Sequence, residues 1–189
     1  MAGHPSRRDS SVGFESGLNV IYGPSNSGKS WVLQCIDYVF GLKADEFVLD
    51  ENSGYTEVRM GVRTAQGSLT LSRPIGEGAN NIEVSSTDPR IESGVYKRQS
   101  SGRSSLLSSV WLKLIGYDAP ENLKIIKNQN LETQALTWRT FWHALYADED
   151  RIRPKKPILL PLQATAQPAS HCALASLMTG TDYADYARD

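Results

Sequence analysis

The sequence has little cysteine and no long apolar run, and each absence excludes a class of protein. Its two cysteines, Cys35 and Cys172, are far apart in a chain of 189 residues, which fits neither a disulfide framework nor a cysteine metal site. No apolar run reaches the roughly 18 residues that a membrane-spanning helix needs. The polar stretch at 1–11 lacks the apolar core of a secretory signal. We therefore expect a cytoplasmic protein without a membrane partner.

An excess of charge of one sign is also missing. The formal net charge is -1, so the chain has neither a basic coat for nucleic acid nor an acidic tail. Any contact with nucleic acid has to be local, and the basic clusters at 96–103 and 151–156 are the candidates for phosphate contacts. Ordinary solvated loops are the alternative explanation of both clusters. With 40% apolar residues, the chain can bury one core and a small additional subdomain.

Hydrophobic patterning predicts an N-terminal part of mixed α and β structure. The apolar run at 18–22 predicts a buried strand, and a helix ending at Gly41 follows. The apolar residues of this helix recur at helical spacing: Val32, Leu33, Ile36, Val39 and Phe40. Strict alternation over 57–64, a turn at 65–67 and renewed alternation at Leu69 and Leu71 predict a β-hairpin. The stretch 81–85 adds a third antiparallel strand.

The C-terminal part is predicted to be helical. The stretch 86–104 is rich in Ser, Arg and Gly with little to bury, so we expect a flexible loop there. Two amphipathic helices follow, and a short helix at 172–178 precedes Gly180. Core packing explains the apolar stripe of each helix. The stripe of the first helix, which Gly116 can terminate, consists of Leu106, Leu107, Val110, Trp111, Leu114 and Ile115. The stripe of the second helix consists of Trp138, Phe141, Trp142, Leu145 and Tyr146.

The segment Gly-Pro-Ser-Asn-Ser-Gly-Lys-Ser at 23–30 has the composition of a phosphate-binding loop. A glycine-rich turn between a strand and a helix directs backbone N–H groups into one concavity, where the helix dipole adds about half a positive charge. Gly23 and Gly28 permit the close approach, Lys29 reaches the β- and γ-phosphates, and the Ser30 hydroxyl suits Mg²⁺. The alternative, a glycine turn with a surface lysine, leaves the placement between strand and helix unexplained.

The stretch "GLNVIYGPSNSGKSWVLQCIDYVFG" resembles the N-terminal nucleotide-binding lobe of the SMC, RecF, RecN and SbcC group of ABC-type ATPases, within the AAA family. In that group a "GxNxIxGxNGSGKS" loop precedes a helix carrying "AIxFVLG". The residues that fall on the pattern are Gly17, Asn19, Ile21, Gly23, Asn26 or Ser27, Gly28, Lys29, Ser30 and the helical end at 35–41. The resemblance is strong over 17–41. The hairpin at 57–73 supports it more loosely, as the β-subdomain of an ABC head.

The resemblance implies an α/β fold, the half head of a P-loop NTPase. Residues 1–85 carry the P-loop strand and helix and an antiparallel β-subdomain, 86–104 form the flexible loop, and 105–189 form a helical part that leads towards a coiled coil missing from this chain. The implied cofactors are ATP and Mg²⁺, with Lys29 as the catalytic residue and Ser30 as the metal ligand. The implied nucleotide-binding residues are Gly23, Pro24, Ser25, Asn26, Ser27, Gly28, Lys29, Ser30 and Trp31.

Family heads also carry a Q-loop, whose glutamine senses the metal and the γ-phosphate. Its best equivalent here is 145–152, where Asp148 or Glu149 stands in place of the glutamine as a candidate Mg²⁺ ligand. A solvated acidic loop is the alternative, and Gln129, Gln134 and Gln163 are further candidates without helpful context. We assign structural or surface roles to three other polar residues: Asp37, His143 and His171.

Two family elements are missing from the sequence, the "LSGGQ"-like signature and the Walker B acid pair. The resemblance therefore implies that the chain binds ATP but hydrolyses it efficiently only as part of a complete head. The implied partners are a C-terminal ATPase lobe and a second head in an ATP-dependent dimer. The complete protein would contact DNA, in repair, chromosome maintenance or defence against phage or plasmids.

Three other classes of protein compete with this interpretation. A small P-loop kinase shares the loop but also needs an arginine lid. A self-sufficient NTPase shares the loop but needs a complete catalytic site. A non-enzymatic module whose interactions depend on a nucleotide needs the loop alone. A GTPase should carry an "NKxD" motif, which the sequence lacks.

Overall fold

The computed structural model describes residues 1–3, 8–49, 53–99, 106–148, 152, 160–161, 163–181 and 183. The chain divides into two compact units, Met1–Leu107 and Ser108–Asp189. The first unit contains strand β1 (Ala2–Gly3), helix α1 (Lys29–Val39) and strands β2 (Tyr55–Arg63), β3 (Ser68–Pro74), β4 (Asn81–Ser86) and β5 (Gly94–Lys97).

An antiparallel sheet with the strand order β1-β2-β3-β4-β5 forms most of the first unit. The predicted alternation decides its faces, because neighbouring residues of a strand point to opposite sides. One face is buried and includes Val58, Leu69, Leu71, Ile82 and Val84. The other face carries polar residues such as Arg59 and Arg63. The predicted hairpin and third strand are confirmed.

Helix α1 ends as the sequence predicts. Gly41 takes a positive φ of 104°, which a glycine adopts without the steric cost of a Cβ atom. Its N–H donates to the Tyr38 carbonyl at 3.0 Å, and the Leu42 N–H donates to the Asp37 carbonyl at 3.0 Å. This pair of bonds is a Schellman motif, which satisfies carbonyls that the end of a helix leaves open.

The predicted apolar stripe of α1 is only partly right. The buried residues of the helix are Asp37, Tyr38 and Val39, whereas Leu33 is 44% exposed. The C-terminal end of the helix lies near β3, where the Tyr38 hydroxyl donates to the Pro74 carbonyl at 2.5 Å. The N-terminal turns therefore have less of this sheet to cover their apolar side.

The strand predicted at 18–22 is wrong, because these residues form neither strand nor helix. Leu18, Val20 and Tyr22 are 92%, 70% and 90% exposed. A strand needs a neighbour whose backbone accepts and donates its hydrogen bonds. Within the described residues no strand pairs with this segment, so β-propensity alone does not make it part of a sheet.

The flexible loop predicted at 86–104 is also partly wrong. Strand β5 lies inside it and pairs with β4, with Ile82 opposite Tyr96 and Val84 opposite Gly94. An edge strand is held by backbone hydrogen bonds to its neighbour and needs few apolar side chains. Amino-acid composition therefore does not predict it. Residues 100–104 of the predicted loop lie outside the described part of the chain.

The described part of the second unit contains helices and a small hairpin. Helix α2 (Leu107–Leu114) begins at the unit boundary, and β6 (Lys124–Ile126), β7 (Thr133–Ala135), α3 (Trp138–Leu145) and α4 (Gln167–Thr179) follow. The three predicted helices are confirmed, but the β6–β7 hairpin was not predicted, since strands of three residues are too short to show a period. None of the helices described is long and apolar enough to cross a membrane.

The cores of the helices α2 and α3 mostly follow their predicted stripes. Val110, Trp111, Phe141 and Trp142 are buried. The ends of both stripes are more open than predicted, because Ile115 is 40% and Leu145 is 61% exposed. The last residues of a short helix project beyond its packing partners, so they contribute less to the core than their spacing suggests.

We expect Gly67→Ala to destabilise the first unit by about 1–3 kcal/mol, the usual cost of overpacking a filled site. A Cβ atom at this position would lie 2.7 Å from the Asp88 backbone nitrogen and 2.8 Å from the Thr87 carbonyl carbon. The matched control is Gly61→Ala, where nothing lies within 4 Å of the added carbon, so we expect a change within about 0.5 kcal/mol. Urea unfolding measures both free energies, and equal effects would contradict the close approach.

Candidate functional site

The loop at 23–30 joins the exposed segment 18–22 to the first turn of α1. Gly28 is the N-cap of the helix, with φ 85°, and Asn26 has φ 59°. Positive φ is easy for glycine, and asparagine is among the few other residues that adopt it readily. The chain thus keeps the backbone conformation of a glycine-rich loop with an asparagine at this point.

The Lys29 ammonium lies across the loop. It donates to the Gly23 carbonyl at 2.9 Å, to the Pro24 carbonyl at 2.5 Å and to the Ser27 hydroxyl at 3.2 Å. The Ser27 hydroxyl in turn donates to the Pro24 carbonyl at 2.8 Å. All three acceptors are neutral, whereas a phosphate oxygen carries a negative charge that adds Coulombic attraction to the hydrogen bond. The ammonium is therefore placed where a phosphate can attract it away from the loop carbonyls.

The backbone next to Lys29 offers further donors. In the described part of the chain, the N–H groups of Gly28, Lys29 and Ser30 donate no hydrogen bond. They stand at the N-terminus of α1, where the helix dipole favours negative charge. Residues 23–28 and Ser30 are exposed, so a ligand can reach these groups from solvent. Together with the lysine, these N–H groups are suited to bind the phosphates of a nucleotide, and the Ser30 hydroxyl is suited to coordinate Mg²⁺.

Trp31 follows the loop and packs within the first unit. Its ring meets the Phe47 ring edge-on at 5.6 Å, and Phe47 stacks on Tyr38 at 4.2 Å. This aromatic group ties the first turn of α1 to the turn that follows the helix. A contact between Trp31 and the nucleotide stays a prediction, and a packing role is what the structure adds.

The acidic candidates lie elsewhere in the chain. Asp148 belongs to the second unit and is exposed, and Glu149 lies outside the described residues. Their role as magnesium ligands therefore stays a prediction. Among the residues that the structure describes, no group of three or more His, Cys, Asp or Glu side chains is placed to hold a metal ion.

Arg73, which belongs to none of the predicted sites, holds the C-terminal end of α1. Its side chain is fully buried and lies over the Tyr38 ring, 3.8 Å from the ring centre. It donates from Nε to the Ala79 carbonyl at 2.7 Å, and from Nη1 to the Leu42 carbonyl at 2.8 Å and to the Tyr38 carbonyl. The alternation of β3 contains the signal, because Leu69, Leu71 and Arg73 point to the same buried face.

Cys35 lies on α1 between the loop and this anchor. Burial raises the pKa of its thiol above the usual value, with a smaller opposing effect from the positive N-terminus. A raised pKa keeps the thiol protonated and poorly nucleophilic near neutral pH. Cys35 is therefore a packing residue of the helix and adds no reactive group to the site.

Comparison with known proteins gives one match. The family model described as an AAA domain matches residues 3–155, which is most of the chain and contains the whole loop at 23–30. Neither the curated proteins nor the solved structures contain a match. The matched family indicates a nucleotide-binding function of the ATPase type. The chain belongs to the AAA domain family of P-loop ATPases.

Proposed function

We propose that the chain is the ATP-binding N-terminal lobe of an SMC- or SbcC-like ATPase and that it binds Mg-ATP in the loop at 23–30. One observation carries this proposal: the Lys29 ammonium lies across the exposed loop, and the N–H groups of Gly28, Lys29 and Ser30 stand at the N-terminus of α1. An ATP triphosphate is rich in anionic acceptors, and these groups are donors.

Three groups of the loop have separate roles in this proposal: the Lys29 ammonium, the backbone N–H groups and the Ser30 hydroxyl. Lys29 exchanges the carbonyls of Gly23 and Pro24 for oxygens of the β- and γ-phosphates, and the N–H groups bind the remaining oxygens. The Ser30 hydroxyl supplies one oxygen ligand to Mg²⁺, which neutralises phosphate charge when bound. Asp148 or Glu149 is the proposed source of a further ligand to the ion, directly or through water.

The exposed segment 18–22 supports the need for a second lobe. Strands of a parallel sheet are buried on both faces and are therefore apolar throughout. Leu18, Val20 and Tyr22 have that character but are largely exposed. A C-terminal ATPase lobe that places a strand beside this segment would satisfy its backbone and cover its side chains.

The remaining partners are proposed by resemblance alone. A second head would close on the bound ATP in a dimer, and the complete protein would act on DNA in repair, chromosome maintenance or defence against phage or plasmids. Binding of DNA is proposed for the complete protein.

We expect the isolated chain to bind ATP and to hydrolyse it only at a background rate. Phosphoryl transfer needs both neutralised γ-phosphate charge and a positioned water, and the loop provides only the first. Phosphate release should rise when the C-terminal lobe is supplied, either fused or as a separate polypeptide. Lys29→Ala in the presence of that lobe is the control and should return the rate to background.

Two results would contradict this proposal. The first is robust turnover by the isolated chain that disappears in Lys29→Ala and does not change when the lobe is added, which would indicate a self-sufficient NTPase. The second is transfer of the γ-phosphate to a nucleoside monophosphate, which would indicate a small kinase. Labelled ATP and a panel of monophosphate acceptors distinguish the two.

A further inference from the structure

A second concentration of positive charge lies in the first unit, at the opposite end of α1 from the loop. It is an open pocket of about 370 Å³ between the turn that follows α1, the end of β3 and the residues next to β4 and β5. Its charged and amide side chains are Lys43, Asp45, Arg73, Asn80, Arg98 and Gln99. The volume falls within the range of about 300–1,000 Å³ that is usual for small-molecule sites.

The walls of the pocket are fixed by hydrogen bonds. Arg73 forms one wall and is held by the carbonyls of Leu42 and Ala79, at 2.8 and 2.7 Å. Asn80 holds the opposite segment, since its carbonyl accepts from the Arg98 N–H at 3.0 Å and its Oδ1 accepts from the Gln99 N–H at 3.3 Å. A site held in this way needs little rearrangement to bind a ligand.

The charge of the pocket differs from that of the whole chain. Three cations, Lys43, Arg73 and Arg98, face one carboxylate, Asp45, although the formal net charge of the chain is -1. The partners of Arg73 include three carbonyl oxygens, which orient its guanidinium but do not cancel its charge. Fields of like-charged groups in a concave site add and attract counter-ions.

The donors of the pocket are available to a ligand. Within the described chain the Arg98 guanidinium makes no hydrogen bond or ion pair. Among the described residues Lys43 forms an ion pair with Glu46 alone, at 3.4 Å, and both side chains are about half exposed. Such exposed pairs contribute at most about 1 kcal/mol, so an anion can displace the glutamate. With its Oδ1 occupied by the Gln99 N–H, Asn80 presents its amide nitrogen as a donor.

We propose that this pocket binds the phosphate group of a nucleotide-sized ligand, with Lys43, Arg98 and Asn80 as its donors. A set of guanidinium, ammonium and amide donors suits a ligand that mainly accepts hydrogen bonds, and phosphate is such a group. The phosphate belongs either to a free nucleotide or to a nucleic-acid strand. The site is separate from the loop at 23–30 and does not depend on ATP binding there.

The test uses the full chain carrying Lys29→Ala, so that the loop no longer contributes phosphate affinity. AMP, inorganic phosphate and a short labelled single-stranded oligonucleotide are titrated at constant ionic strength. We expect Arg98→Gln to weaken binding by about tenfold and Lys43→Gln by severalfold, as for charge-assisted hydrogen bonds. The matched control is Arg63→Gln on the outer face of β2, which should change the affinity by at most about twofold.

The arms of the titration identify the source of the phosphate. If a free nucleotide is the ligand, AMP and inorganic phosphate compete for the same site. If a nucleic acid is the ligand, only the oligonucleotide binds. Arg98→Gln then lowers the salt dependence of oligonucleotide affinity by the amount expected for about one phosphate contact. Arg98→Lys should restore part of the affinity, which a merely structural role for the arginine would not explain.

Two outcomes would overturn the proposal. One is no binding of any of the three probes at millimolar concentration while the thermal midpoint shows a folded chain. The other is an equal loss of affinity in Arg98→Gln and Arg63→Gln, which would mean that binding follows overall charge. Because Lys29→Ala is present throughout, neither outcome bears on ATP binding by the loop.

Discussion

Mg-ATP should stabilise the folded chain, and Lys29→Ala should abolish most of that stabilisation. A ligand that binds only the native state adds about 2.7 kcal/mol at roughly 100 times its dissociation constant. Lys29 is the only side-chain cation in the loop, and its Nζ atom donates to the loop carbonyls of Gly23 and Pro24. Its removal leaves the triphosphate without the charge that balances it. Thermal unfolding with and without Mg-ATP measures the effect.

The controls separate the loop from the general effect of charge. Arg63→Gln removes a cation from the outer face of β2 and should leave the shift unchanged. Ser30→Ala should remove only the part of the affinity that depends on magnesium, because the hydroxyl is the proposed metal ligand. A wild-type chain and a Lys29→Ala chain that shift equally would place the nucleotide elsewhere. A Ser30→Ala chain with full magnesium dependence would exclude the hydroxyl as a ligand.

Arg73→Met should lower the free energy of unfolding by about 3–5 kcal/mol, because it removes the hydrogen bonds that a buried guanidinium gives to backbone carbonyls. Methionine keeps much of the volume of the side chain but provides no donor. The carbonyls of Tyr38, Leu42 and Ala79 would each lose the bond that Arg73 gives them. Loss of this donor costs about 1–3 kcal/mol for each of the Leu42 and Ala79 carbonyls, whereas the Tyr38 carbonyl keeps its bond from the Gly41 N–H. Chemical denaturation of the full chain measures the loss.

Two further variants show whether the loss comes from the buried position. Arg59→Met changes an arginine on the exposed face of β2, where its pairing with Glu57 at the surface contributes at most about 1 kcal/mol. Arg73→Lys keeps the charge but cannot reach three carbonyls with a fixed planar group, so we expect an intermediate loss. If Arg73→Met costs no more than Arg59→Met, the anchoring role of Arg73 is wrong.

Local patterns made parts of the first unit predictable. The hairpin of β2 and β3 follows from alternation and a turn that contains Gly67, all within one stretch of sequence. The end of α1 follows from Gly41, whose positive φ permits the Schellman bonds within a few residues. The loop at 23–30 is likewise a contiguous motif, and the helix that the motif requires begins at Lys29.

Features that depend on distant partners were not predictable. Residues 18–22 have the composition of a buried strand, but a strand also requires a neighbour, and composition cannot supply one. Strand β5 shows the opposite, because a stretch with few apolar residues forms a strand by backbone pairing with β4. The burial of Leu33 was overestimated for the same reason, because the apolar side of a helix is covered only where another element lies against it.

The strand order of the sheet also has a consequence for how the first unit folds. From β2 to β5 every strand pairs with its neighbour in sequence, so these contacts close short loops at a low cost in chain entropy. The pairing of β1 with β2 joins residues more than fifty positions apart, such as Ala2 and Glu57, and closes a much longer loop. We therefore expect the meander to form first as the chain collapses, with the N-terminal strand joining an edge that already exists.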